Sequence, residues 1–390
     1  MNNSISPPLS PAFRIGWIDS LRVLACFLVV LAHCCDPFVG NASQSMSDFA
    51  TGTFWGSLTR PSVPLFAMIS GALLLPVRME MGTFYKRRLK RVAIPLAVWS
   101  LALPLMFYAY FAFVTHGVHT ANPNIVPDAY TWEATARKLY TFLFNFNYDT
   151  TPLWYLYMLV GLYLFMPIIS GWLNQAPRKD VKIFLGIWIF SMTAPGLQMF
   201  APLLGYEGNY GNMGLWGVCD WNPYGMFYNF SGFLGYIVLG WYLVRYPLDW
   251  SRRKTLAVTM SMLTVGYAAT VWGFFAVKSH FPDQAALLEI PWYFSGINVF
   301  LMTFAVFVLL QQFAFREGAL VGRLAAWSFG IYLCHFVFVQ VSYDACHGLP
   351  LPAWAQIPLM ACVAFAVSAV LIGSLGALKR YLPILKNAGV

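Results

Sequence analysis

The chain has 390 residues, 59% of them hydrophobic and only 10% charged. That composition excludes a soluble domain and leaves an all-α, polytopic membrane protein. A net charge of +9 would suit nucleic acid on a soluble surface, but the bases are sorted by loop, so no nucleic-acid partner is expected.

Ten apolar stretches are long enough to span, near 17–36, 54–76, 92–114, 152–172, 181–202, 227–245, 255–277, 291–312, 325–343 and 354–377. Nineteen bases fall in connections on the N-terminal side of this frame, and only Arg137, Lys138 and Lys278 on the other. Both termini are therefore expected in the cytoplasm. Acids such as Asp36, Asp149, Glu289 and Asp344 collect on the outer side. For most of the basic loops this topology signal is explanation enough. No cleavable leader is legible, because the first apolar stretch carries Asp19 and Arg22. The expected organisation is one membrane domain over 1–390, with tails at 1–16 and 379–390 and no appended soluble domain. Seven cysteines do not make a disulfide scaffold, although the outer Cys219 and Cys346 would be free to pair in an oxidising compartment.

The first span holds an arginine and a histidine eleven residues apart, Arg22 and His33. Ionisable groups at membrane depth are costly and usually functional. Eleven residues make about three turns, so both side chains share one stripe, about 16 Å apart along the axis. They cannot touch, but they can line one route. Asp19, three residues before Arg22, can pair with it; a helix-end ion pair is the simpler reading there. His33, near the outer end, is a suitable general base, or else a histidine hydrogen-bonded to a neighbouring helix. Asp36 is placed to orient its imidazole. Adjacent residues of His33-Cys34-Cys35-Asp36 diverge on a helix, so no metal is expected.

The second span brings Arg60, at a depth similar to His33, followed by Pro61 and Pro64. It could hold an oxyanion or snorkel to the interface. Then come Arg87, Arg88 and Arg91, with Arg88 and Arg91 neighbours at the start of the third helix. They suit a phosphate group or lipid headgroups equally. Trp154 and Tyr155 open the fourth span at the outer surface. Trp221 lies in an outer loop rich in aromatics and amides, a composition that suits either sugar stacking or interface anchoring. His335 falls near mid-membrane in the ninth span, as a packed histidine or a second functional one. Walker, dinucleotide and Gly-x-Ser-x-Gly motifs are absent from the sequence.

The pattern Asp19-x-x-Arg22 with His33 beyond it resembles the Arg-x10-His signature of the membrane-bound acyltransferase 3 family. Val63-Pro64-Leu65-Phe66 leading to Ser70-Gly71, Arg88-x-x-Arg91, Leu153-Trp154-Tyr155 and Gly330-Ile331-Tyr332-Leu333-x-His335 are similar to that family too. The ordered set is closest to the enterobacterial common antigen O-acetyltransferase subgroup. The resemblance implies acyl-CoA as co-substrate, usually acetyl-CoA, and a hydroxyl of a cell-envelope carbohydrate as acceptor. It implies a bacterial inner-membrane location, with membrane lipids and a glycan-biosynthesis complex as possible partners. It also implies that His33 is catalytic, as general base or transient acyl carrier, that Arg22 serves the donor, and that Arg88 and Arg91 bind it. Asp19 and Arg87 are expected beside them; Trp154, Tyr155, Trp221 and His335 are expected toward the acceptor. A transporter or flippase of a lipid-linked glycan would also explain buried charge, but not the ordered motifs.

Overall fold

A computed structural model describes residues 16–144, 146–205, 215–218, 224–282, 285–313 and 318–378. Among the described residues every regular element is helical and none is a strand. Eight helices among the described residues are long and apolar enough to cross a membrane. The chain is a polytopic membrane protein.

Helix α1 (Gly16–Gly40) lies at the centre. It packs on α2 (Met46–Leu58), α3 (Ser62–Leu74), α11 (Ile297–Phe313), α12 (Ala319–His347) and α13 (Ala353–Leu378). Apolar residues on all its faces, including Leu21, Cys26, Val30 and Cys35, are buried, as expected of a helix surrounded by others. Around it run α4 (Met81–Ala109, prolonged by a π turn to Val114), α5 (Trp132–Thr141), α6 (Trp154–Leu173), α7 (Arg178–Ser191), α8 (Ala194–Phe200), α9 (Phe233–Arg245) and α10 (Arg252–His280). α10 pairs with α11, α12 with α13, and α4 with α6.

Two of the ten expected spans are built differently. The second is broken into α2 and α3 at Thr59-Arg60-Pro61. Pro61 has no N–H to continue the ladder onto Ser57. Gly56 O instead collects the Thr59 amide at 3.2 Å, the Thr59 hydroxyl at 2.7 Å and Arg60 Nε at 3.0 Å. The sixth is α9 alone, thirteen residues long, preceded by turns around Gly225–Phe227. α3 and α9 lie against each other at backbone distance. A Cβ on Gly71 would sit 1.9 Å from Ile237 O, and one on Gly240 would sit 2.1 Å from Met68 O. Only glycine permits that approach.

The third helix also departs from expectation. It starts at Met81, not near 92, and carries Pro95 in its interior. Neighbouring helices make an internal proline tolerable in membrane helices. Arg88 and Arg91 therefore lie two turns inside α4, where the backbone amides are spent on the helix. A phosphate grip at a helix N-terminus is not available to them.

Taking the base-poor side as outer, residues 117–144 and 146–153 form a cap tied to α12. Asn122 Nδ2 donates to Gln340 Oε1 at 2.7 Å, and Tyr110 and Thr120 both donate to Asp344. Within the cap, buried Asp149 accepts from Lys138 Nζ at 2.7 Å and from Tyr130 at 2.9 Å. Burial and that carboxylate push the Tyr130 phenol well up, so it stays a donor.

Candidate active site

α1 and α12 ascend side by side in a fixed register. Cys26 Sγ meets Ser328 O at 3.4 Å. Seven residues further along each helix stand His33 and His335, so the two histidines share one depth. Their ring centroids are 5.4 Å apart, and Phe336 packs edge-on against His33 at 5.0 Å.

The two imidazoles are held differently. His33 Nδ1 lies 2.9 Å from Asp36 Oδ2, one turn along α1. With the carboxylate ionised, Nδ1 carries the proton and Nε2 keeps its lone pair. That is the arrangement of a base oriented by an acid. His33 is largely buried and Asp36 one-third exposed, at 16% and 35% of their side-chain surface. His335 is fully buried. Its Nδ1 donates to Tyr332 O at 2.7 Å, and its Nε2 has no partner among the described residues.

Arg60 comes to the same level from the break between α2 and α3. A Cβ on Gly56 would sit 3.6 Å from Cys35 Cβ, which fixes the depth of the Gly56 carbonyl that Arg60 Nε binds. Its guanidinium lies over the Trp292 ring at 4.5 Å and near Phe294 at 5.4 Å. Asp36 is the foremost of the charged groups acting on it, with Glu289 also in reach. Arg60 thus faces the Asp36 side of the dyad, held by a carbonyl and an aromatic face.

Arg22 sits at the inner end of the same helix, with Nη1 3.2 Å from Asp19 Oδ1. Arg91 of α4 and Tyr155 of α6 are within its electrostatic reach. Arg88 is half-buried beside Tyr163, while Arg87 and Arg91 are exposed. The structure therefore brings Arg22, Arg88 and Arg91 to one end, and leaves Arg87 pointing outward from it.

Tyr155 and Tyr332 connect the two ends. The ring centroids run His33 to His335 at 5.4 Å, His335 to Tyr332 at 5.9 Å, and Tyr332 to Tyr155 at 5.6 Å. Tyr332 donates its hydroxyl to Pro152 O. Trp154 and Tyr155 are consequently not at the outer surface, as their place at the start of a span suggested. A 3-10 turn, Tyr148–Leu153, precedes them, and Tyr155 is buried against Tyr332. Trp154 stacks on Phe294 at 5.5 Å. Reading single residues for charge passed over Tyr332, Trp292 and Phe294; the first sat inside the Gly330-Ile331-Tyr332-Leu333-x-His335 motif. Trp221 and Cys219 lie outside the described residues, and Cys346 is buried. Among the described residues no cluster of His, Cys, Asp and Glu is arranged to hold a metal.

An acyltransferase domain model, Acyl_transf_3, matches residues 15–373, nearly the whole chain and every residue of this constellation. The chain belongs to the acyltransferase 3 family. No curated protein and no solved structure matches it. This is therefore a membrane acyltransferase whose family domain contains a His-Asp pair, a second histidine and a basic inner end.

Proposed function

We propose that this acyltransferase carries an acyl group, acetyl in the first instance, from cytoplasmic acyl-CoA to a hydroxyl of an extracytoplasmic or lipid-linked envelope carbohydrate. The order of its motifs resembles that of the enterobacterial common antigen O-acetyltransferases. The observation that carries the reading is the two-ended helix α1. It presents an Asp36-oriented imidazole at one end and an arginine grouped with Arg88 and Arg91 at the other.

The chemistry follows from that polarity. Phosphates of the donor rest on Arg88 and Arg91, where multiple charge-assisted hydrogen bonds are available. The pantetheine arm runs past Arg22 and along Tyr155 and Tyr332, a distance on the order of the 16 Å between Arg22 and His33. His33 Nε2 removes the proton of the acceptor hydroxyl as its oxygen attacks the thioester carbonyl. Asp36 holds the imidazole and stabilises its charge. Arg60 neutralises the developing oxyanion. An acyl-His33 intermediate would use the same groups in two steps.

The test is label transfer. Inside-out membrane vesicles from the source cells, which contain the native glycans, receive labelled acetyl-CoA. The proposal expects label in carbohydrate with matching release of coenzyme A thiol, and loss of both in His33→Ala at unchanged protein level. Glycan translocation without thioester consumption would instead establish a transporter.

A further inference from the structure

His335 takes no part in the scheme above, yet among the described residues it is one of the few buried side chains with an unpartnered polar atom. It is fully buried, and its Nδ1 is committed to Tyr332 O at 2.7 Å. That hydrogen bond fixes the tautomer: Nδ1 bears the proton and Nε2 is a bare lone pair. Nε2 is closed to solvent and unpaired among the described residues. A buried acceptor without a donor costs about 1–3 kcal/mol, and such groups in native structures call for an explanation.

The neighbours narrow the explanation. Phe336 has no transferable proton, and the Tyr332 hydroxyl is engaged with Pro152 O. The remaining ring is His33, at 5.4 Å between centroids and tilted by 36°. At that spacing the two rings are direct neighbours, and in the resting arrangement His335 Nε2 is not hydrogen-bonded to His33. In the resting state both Nε2 atoms are acceptors. They become partners only once His33 has gained a proton.

We propose that His335 is the second station of a proton relay between the acceptor hydroxyl and the departing thiolate. This rests on the acyl-transfer reading. In the first step the acceptor O–H gives its proton to His33 Nε2 while its oxygen bonds to the thioester carbonyl carbon. Next, His33 Nε2–H passes that proton to His335 Nε2, restoring His33 as a base. The C–S bond then breaks, its electron pair leaves on sulfur, and His335 Nε2–H protonates the thiolate to the free thiol. One proton enters and the same proton leaves, so no further reactant is required. The direction agrees with the ring order, because His335 lies between His33 and the Tyr332–Tyr155 side along which the donor extends.

Two measurements decide it. The first needs no turnover: in protein with 15N-labelled histidine, His335 at neutral pH should show a protonated Nδ1 and an unprotonated Nε2. A protonated Nε2 would overturn the relay whatever the reaction proves to be. The second uses His335→Asn, whose side-chain amide can still donate to Tyr332 O but holds no proton in transit. In the labelled acetyl-CoA vesicle assay its kcat should fall about 100-fold or more, the usual scale for a lost proton transfer, with KM for acetyl-CoA within twofold. A kcat within threefold of wild type, or a loss confined to KM, would refute the relay while leaving His33-dependent acyl transfer intact. Loss of transfer specificity for acetyl-CoA in the wild type would refute the underlying function instead.

Discussion

Asp36→Asn isolates the contribution of the His33–Asp36 pair. The substitution keeps size and hydrogen-bonding capacity but removes the charge that faces Nδ1 at 2.9 Å. A hydrogen bond to a charged group is worth about 1.5–3 kcal/mol, or roughly 10–150-fold in rate. Asp36 is 35% exposed, so solvent screens part of its charge and the lower half of that range applies. We expect kcat to fall about 10–50-fold. A fully buried triad aspartate, by comparison, costs about 10⁴-fold when made Asn, because the histidine is then held in the wrong tautomer. The exposed side chain here lets the Asn amide turn its carbonyl toward Nδ1–H, which preserves the tautomer. The assay is labelled acetyl transfer in inside-out vesicles, with expression and thermal unfolding of the purified variant as controls. A kcat within twofold of wild type would show that Asp36 does not orient a functioning His33. A loss as deep as that of His33→Ala would show that Asp36 does more than orient it.

Other perturbations probe the donor end, the cap and the frame. Arg88→Ala and Arg91→Ala should each raise KM for acyl-CoA about tenfold, the equivalent of about 1.4 kcal/mol, without lowering the unfolding temperature; unchanged KM in both would remove them from the donor site. Lys138→Met leaves Asp149, whose side chain is fully buried, without its counter-charge. It should destabilise by about 3–5 kcal/mol, read by thermal unfolding in detergent, and Lys138→Met with Asp149→Leu should recover most of it. Gly71→Ala places a methyl group 1.9 Å from Ile237 O, so the folded yield should collapse, whereas Gly161→Ala, with open space around it, should be silent.

Much of this arrangement was legible in the chain. The helical class, the sorting of bases by side and the shared depth of His33 and Arg60 follow from hydropathy, charge and helical spacing, and the structure keeps the last of these through Gly56 and Cys35. The pairing of His33 with Asp36 was legible because three residues on a helix are always neighbours. What escaped depends on tertiary register. That His335 meets His33 is set by the Cys26–Ser328 contact between helices 302 residues apart in sequence, which no local pattern encodes. Arg88 and Arg91 were misplaced at a helix start because hydropathy begins the span only after the charged run at 86–91, whereas the helix itself begins at Met81. Trp154 was placed at the outer surface because the apolar stretch was taken to begin at 152, whereas the Tyr148–Leu153 turn precedes it.

The break at Arg60 ties these departures together. A reaction that joins a donor from one side of a membrane to an acceptor on the other must meet somewhere within about 30 Å of hydrocarbon. Two continuous helices packed beside α1 would leave that thickness uniform. α3 and α9 are thirteen residues each, about 20 Å long, and Gly71 and Gly240 lock them together. Outward of α3 the helix is interrupted at 59–61 before α2 resumes, and outward of α9 the backbone turns at 228–232; such breaks are tolerated at depth only where protein or a cavity receives their polar groups. Here the receivers are identifiable: Gly56 O takes Arg60, Ser57 Oγ takes Trp292 Nε1 at 3.1 Å, and Phe294 O takes the Tyr236 hydroxyl at 2.7 Å. The same interruption that shortens the barrier therefore delivers a guanidinium to the level of the two histidines. A substitution that heals it, Pro61→Ala, should extend α2, draw Arg60 away from Trp292, and reduce kcat while leaving the donor KM unchanged. An equal loss in both parameters would mean that the break serves packing and not the reacting centre.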